Sequence, residues 1–261
     1  MSLVIFAIAF FASVIGAICG IGGGVIIKPL LDAIGIADVA QISFLSGCTV
    51  LSMSCYSVMR ALTARESTVR FRTATPLAIG AAIGGIVGKS IFSAIREAAS
   101  HPDRVGGYQA ICLAVITAAT LVYTLNKKRI RTHSVKSPLV CIAVGLLLGT
   151  LSSFLGIGGG PINLVVLYFF FSMQTKEAAQ NSLYIILVSQ AASLITSIIT
   201  ASVPQFNPVW LALMVSGGIG GGIAGRCLNK KLTAQAVEKL FGGLILVIVL
   251  ISCYNAFRYL G

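Results

Sequence analysis

Eight apolar segments, at 3–35, 39–60, 74–95, 105–126, 138–172, 178–201, 208–228 and 238–258, fill most of the 261 residues and leave only short polar connections. An α-helix needs about 20 residues to cross roughly 30 Å of hydrocarbon, and it satisfies its own backbone polar groups where no water is present. The chain is therefore expected to be an all-α polytopic membrane protein with the lipid bilayer as its surroundings. Charged residues are only 10% of the sequence and mean hydropathy is +0.97, which leaves no stretch for a soluble domain. The opening segment lacks a positive n-region and runs directly into further membrane sequence, so it is expected to be retained rather than cleaved as a signal.

Two segments differ from the rest. The first and the fifth are longer than a span requires, and each is interrupted by the same pentapeptide, GIGGG, at Gly20 to Gly24 and Gly156 to Gly160. Further matches follow when the halves are aligned on it. VAQISF from Val39 answers AAQNSL from Ala178, pairing Gln41 with Gln180 and Ser43 with Ser182. GAAIGGIVGK from Gly80 answers GGIGGGIAGR from Gly217, pairing Lys89 with Arg226, and VGGYQAICL from Val105 stands opposite FGGLILVIV from Phe241. The expected organisation is two homologous four-segment repeats, 1–127 and 138–261, joined by a basic linker at 128–137.

Charge placement sets the expected topology. The net charge is +12, but the basic residues cluster in the connections, where the positive-inside rule accounts for them without nucleic acid as a partner. RALTARESTVRFR, the central linker and RCLNKKLTAQAVEK are strongly basic, whereas SVPQFNP carries no charge. Eight single crossings would put these basic connections on opposite sides. If the glycine-broken segments are re-entrant, all three become cytoplasmic, SVPQFNP becomes external, and the two repeats are inverted relative to each other. The mildly basic KSIFSAIREAASHPDR then falls outside, with Ile95 to Arg104 expected along the interface.

A re-entrant tip places non-helical backbone at membrane depth, where glycine allows positive φ and close approach. Free N–H groups at the start of a following half-helix, with the positive end of its dipole, attract an anion. Pro161 fits the first position of such a helix, where its missing N–H costs nothing. The candidate substrate-binding residues are therefore Gly22, Gly23, Gly24, Gly158, Gly159 and Gly160. Lys28 is one turn beyond Gly24, and an intramembrane lysine is costly unless it is functional, paired with Asp32 at i,i+4, or snorkelling to the interface. Gln41, Gln180, Asn181 and Asn163 are candidates to orient the anion, against the alternative of interhelical hydrogen bonding. The small residues of GAAIGGIVG and GGIGGGIAG read as close helix-packing surfaces, and no Walker lysine is in register.

Other chemistries find no support in the residues. No cysteines are spaced as CxxC and most fall in apolar spans, so they are expected to be small buried side chains rather than disulfide, metal or redox groups. His101 and His133 lie in polar connections. All seven carboxylates lie in or beside connections, and none is expected to be buried as a proton relay or sodium ligand. No membrane-depth nucleophile has a neighbouring base, so no enzyme, catalytic residue, metal site or cofactor is expected.

The doubled GIGGG loop, the proline that follows it in GIGGGVIIKPLL and the two-fold repeat together resemble the TauE/SafE family of membrane transporters, over nearly the whole chain. The resemblance makes Gly20 to Gly24 with Pro29, and Gly156 to Gly160 with Pro161, the signature loops, although the second carries Val165 where the first has Pro29. It implies a secondary transporter of the bacterial cytoplasmic membrane, moving small sulfur-containing anions such as sulfite, thiosulfate or sulfonates by alternating access. An anion channel using the same loops is the alternative, and a homo-oligomer is compatible with either.

Overall fold

The computed structural model describes residues 2–98, 102–157 and 159–260. Among the described residues ten α-helices follow one another: α1 (Ser2–Cys19), α2 (Gly24–Ile34), α3 (Val39–Thr63), α4 (Phe71–Ala98), α5 (Pro102–Asn126), α6 (Pro138–Phe154), α7 (Pro161–Phe171), α8 (Thr175–Ile199), α9 (Pro208–Lys231) and α10 (Ala234–Leu260). Among the described residues seven are long and apolar enough to cross a membrane, while α6 and α7 are shorter apolar helices. The protein is thus an all-helical, multi-pass membrane protein. Its outward-facing side chains fit that medium, with Leu139, Ile199, Leu125 and Phe257 all exposed.

The expected first segment is split into α1 and α2, and the fifth into α6 and α7. Both breaks fall at the glycines, where Gly20 and Gly156 take φ of 77° and 66°. Beyond the first break the chain doubles back. A Cβ on Gly16 would lie 2.3 Å from the Gly23 nitrogen, and one on Gly23 would lie 3.2 Å from Ser13 N. α4 stays helical to Ala98 and α5 starts at Pro102, so most of the stretch expected along the interface extends the two spans; residues 99–101, including His101, lie outside the described residues.

Glycine stripes set the closest helix pairs. On α4, Gly80, Gly84 and Gly88 press on Ile142, Leu146 and Thr150 of α6; on α9, Gly217, Gly221 and Gly225 press on Phe6, Phe10 and Val14 of α1. The matching order of contacts makes both pairs parallel. A Cβ on Gly84 would come within 2.0 Å of the Leu146 carbonyl oxygen, so these stripes are backbone-to-backbone contacts of the small-residue kind common between membrane helices. α5 lies against α10, and α3 and α8 pack on each other and on α9 and α4 respectively.

The molecule has two unlike ends. One, here the linker end, gathers ion pairs between Arg70 and Glu177, Lys127 and Glu238, and Glu66 with both Arg226 and Lys230. The linker lies there along α7, with His133 and Val135 donating to the carbonyls of Phe169 and Phe170 at 2.7 and 2.9 Å. The other, distal end joins Phe44 to Phe206, with ring centroids 5.3 Å apart, and Arg258 to the Asp32 and Ala33 carbonyls that end α2.

Two expectations change here. All seven cysteines are free, but only Cys19 and Cys141 are buried, and Cys112, Cys227 and Cys253 are exposed on the outer faces of spans. A hydrocarbon surround is as apolar as the interior, so a small thiol gains nothing by being turned inward. Asp32, expected beside a connection, is buried in the last turn of α2, and its Oδ1 has no partner among the described residues.

Candidate functional site

The two glycine loops meet inside the bundle. A Cβ on Gly24 would lie 2.8 Å from the Ile157 carbonyl oxygen, and one on Gly160 would lie 3.6 Å from Val25. Val50 of α3 and Ile186 of α8 close the space around them: both flank Gly22, Val50 touches Gly24, and Ile186 touches Gly159. Each is almost fully buried. Among the described residues the N–H groups of Gly22, Gly23, Gly159 and Gly160 have no acceptor. Gly158 lies outside the described residues.

The broken helices leave carbonyl ends inside the bundle, and such ends need donors. At the end of α6 these come from Lys28 and Gln109. Lys28 donates to the Gln109 side-chain oxygen and, at 3.0 Å, to the Leu155 carbonyl, while Gln109 donates to the Phe154 carbonyl. At the end of α1 Asn229 donates to the Ile18 carbonyl at 2.6 Å. Lys28 is 3% exposed and forms no ion pair with Asp32, so neither snorkelling nor the i,i+4 pair describes it. Its ammonium instead caps a helix C-terminus, where a positive charge is favoured. Gly156 is part of this arrangement: a Cβ there would lie 2.8 Å from Lys28 Nζ and 2.9 Å from Ser43 Oγ.

Asn163 joins the second loop. It is 2% exposed, its Nδ2 would lie 3.2 Å from a Cβ on Gly159, and its Oδ1 has no partner among the described residues. Gln41, Gln180 and Asn181 are elsewhere. Gln41 donates to the Gln205 carbonyl at the distal end; Gln180 and Asn181 accept from the Thr68 and Arg70 N–H groups, at 2.8 and 2.9 Å, at the linker end. Each amide therefore ties a helix start to a connection of the other half of the chain. Helix position also shifts the pairing, because Val39 and Thr175 each open a helix and Gln41 then stands opposite Glu177 rather than Gln180.

From the loops a cavity of about 200 Å³ runs to the distal end. It passes Gly156 and Ile157, then Ser46, Ser153 and Gln190, then Lys89 and Ser193, and reaches Ser202 and Pro204 at its mouth. Among the described residues no carboxylate lines it. Ser46 and Gln190 are polar residues that the sequence offers as completing the site, whereas Lys89 and Gln109 were not singled out, although each is a lone polar group in an apolar span, the signal that drew attention to Lys28.

The comparisons with known proteins agree with this architecture. The family model described as "Sulfite exporter TauE/SafE" matches residues 5–251. The chain belongs to the TauE/SafE family. Among its relatives, the probable membrane transporter protein YunE of Bacillus subtilis (strain 168) is 24% identical, over 97% of both chains. A probable membrane transporter protein of Xylella fastidiosa (strain Temecula1 / ATCC 700964) is 26% identical, over 92% of this chain and 88% of its own. YjnA of Bacillus subtilis (strain 168), also a probable membrane transporter protein, is 20% identical over 95% of this chain. No solved structure matches the chain. As a TauE/SafE member, the protein is a membrane transporter and not an enzyme.

Proposed function

We propose that this TauE/SafE protein is a secondary transporter that moves small sulfur-containing anions, of the sulfite, thiosulfate or sulfonate class, across a bacterial cytoplasmic membrane by alternating access. The observation that carries the reading is the meeting of the two glycine loops, whose unpartnered N–H groups lie behind Val50, Gly156 and Ile157, which line the inner end of a cavity without described carboxylates. Gly22, Gly23, Gly159 and Gly160 would hold the anion by backbone donors; Gly24, whose N–H donates to the Gly22 carbonyl, and Gly158 are assigned alongside them by their places in the pentapeptides. Asn163 would add a side-chain amide, since its terminal O and N can exchange places to present a donor. Lys28 supplies positive potential from behind Gly156 rather than a direct contact. Gln41, Gln180 and Asn181 act from the connections, holding each repeat to the other.

The same reading takes the halves as inverted repeats with re-entrant first segments. In support, α1 packs on α9 while α6 packs on α4, each glycine stripe serving the opposite half. α2 ends beside Arg258 at the distal end, and α7 ends beside the linker. Movement of one repeat against the other would expose the loops to each side in turn. The test is uptake of radiolabelled sulfite, thiosulfate and a sulfonate into proteoliposomes under imposed proton, sodium and anion gradients. Accumulation of at least one above protein-free vesicles is expected; no movement of any of them under any gradient would remove the assignment.

A further inference from the structure

The bundle holds a second, smaller cavity of about 80 Å³ at the linker end, and its walls repeat those of the first. Lys89 follows the last glycine of the α4 stripe and lines the distal cavity; Arg226 follows the last glycine of the α9 stripe and lines the linker-end cavity. Ser193 and Leu194 of α8 face the one, and Ser57 and Val58 of α3 face the other. The two cations are differently engaged. Among the described residues half-buried Lys89 donates only to the Ser197 hydroxyl and takes part in no ion pair. Arg226 meets Glu66 at 2.8 Å, and Lys230 meets the same carboxylate at 2.7 Å. Glu66 belongs to the α3–α4 connection, and the corresponding α8–α9 connection, residues 200–207, has no acidic residue.

We propose that these cavities are equivalent anion-reception sites at the two mouths of one route: Lys89 with Ser193 and Ser197 receives the oxyanion at the distal mouth, and Glu66 occupies the matching place between Arg226 and Lys230 as a built-in competitor. The proposal rests on the anion-transport reading but names residues outside the glycine loops. An ammonium with adjacent hydroxyls and no described acid suits a small tetrahedral or pyramidal oxyanion through charge-assisted hydrogen bonds. At the linker mouth an arriving anion must displace a tethered carboxylate that offers the same two-oxygen contact. The two mouths should therefore differ in affinity, the distal one being tighter.

Equilibrium binding of radiolabelled sulfite to the purified full-length protein, with counterflow in oriented proteoliposomes, tests this. Lys89→Gln should raise the sulfite Kd and the distal-side KM about ten-fold with maximal rate retained, and Lys89→Arg should restore most of the loss, as expected for a charge-assisted contact. Glu66→Gln should lower the linker-side KM several-fold and leave the distal-side KM unchanged. An unchanged Kd in Lys89→Gln, or a weaker linker-side KM in Glu66→Gln, would overturn the assignment. A wild type that binds sulfite in a Lys89-dependent way but does not move it would remove the transport reading and leave the mouth assignment standing.

Discussion

At the scale of single residues, the molecule places glycine where another atom already stands. Gly24 has the Ile157 carbonyl, Val50 and the Ser46 hydroxyl opposite it, so Gly24→Ala must push the two loops apart. We expect Gly24→Ala to remain folded and to lose at least about ten-fold in transport rate, given how steeply misplacement of binding groups lowers rates; near-normal sulfite flux would argue against the loops as the site. Lys28 is a different case, because its main contacts are structural. Lys28→Met leaves the Leu155 carbonyl and Gln109 without their donor and should cost about 1–3 kcal/mol, read as a lowered midpoint of thermal unfolding in detergent. A variant as stable as the wild type would mean that the helix end is satisfied without the ammonium.

At the scale of elements, the closest packing is carried by stripes of glycine, and a side chain added there has no space to enter. Gly84→Leu at the α4–α6 crossing should destabilise by at least about 1–3 kcal/mol, whereas Ile83→Leu on the exposed side of the same helix should be nearly neutral. These stripes were legible in the sequence, as were the glycine breaks, since both rest on local chemistry: a small residue every fourth position and a pentapeptide no span needs. What was not legible came from contacts between distant elements. Gln109 is one amide in an apolar helix, and only the folding of α5 against the broken end of α6 gives it a partner. Asp32 looked like part of a connection because the sequence does not show that α10 covers the end of α2. Gln41 and Gln180 invited alignment by letter, but the helix starts put them in different registers. Their amides serve the connections that cross between halves.

At the scale of the whole molecule, the ends differ in charge, and the difference sets orientation and access. In a background with the native cysteines replaced, a cysteine at Ser202 or Gln205 should label only from outside and one at Arg131 or Ser134 only from the cytoplasm; external labelling of the linker would contradict the inverted arrangement. The Glu66 cluster adds a pH signature at the linker-end mouth. Hydrogen bonding from Lys230, with the nearby Arg226 charge, holds the Glu66 carboxyl below its ordinary range. Its contribution is therefore complete above the usual glutamate pKa and is lost as pH falls through the lower folded value. Any stability advantage of wild type over Glu66→Gln at neutral pH should disappear in acid, as followed by thermal unfolding across pH. Alternating access has one property that an open pore does not share: a site reached from one side at a time. Counterflow of radiolabelled sulfite, with unlabelled sulfite inside proteoliposomes and no other gradient, measures it. We predict a transient, saturable accumulation of label above its equilibrium level, sharply reduced in Gly24→Ala; passive equilibration without overshoot in the wild type would contradict it.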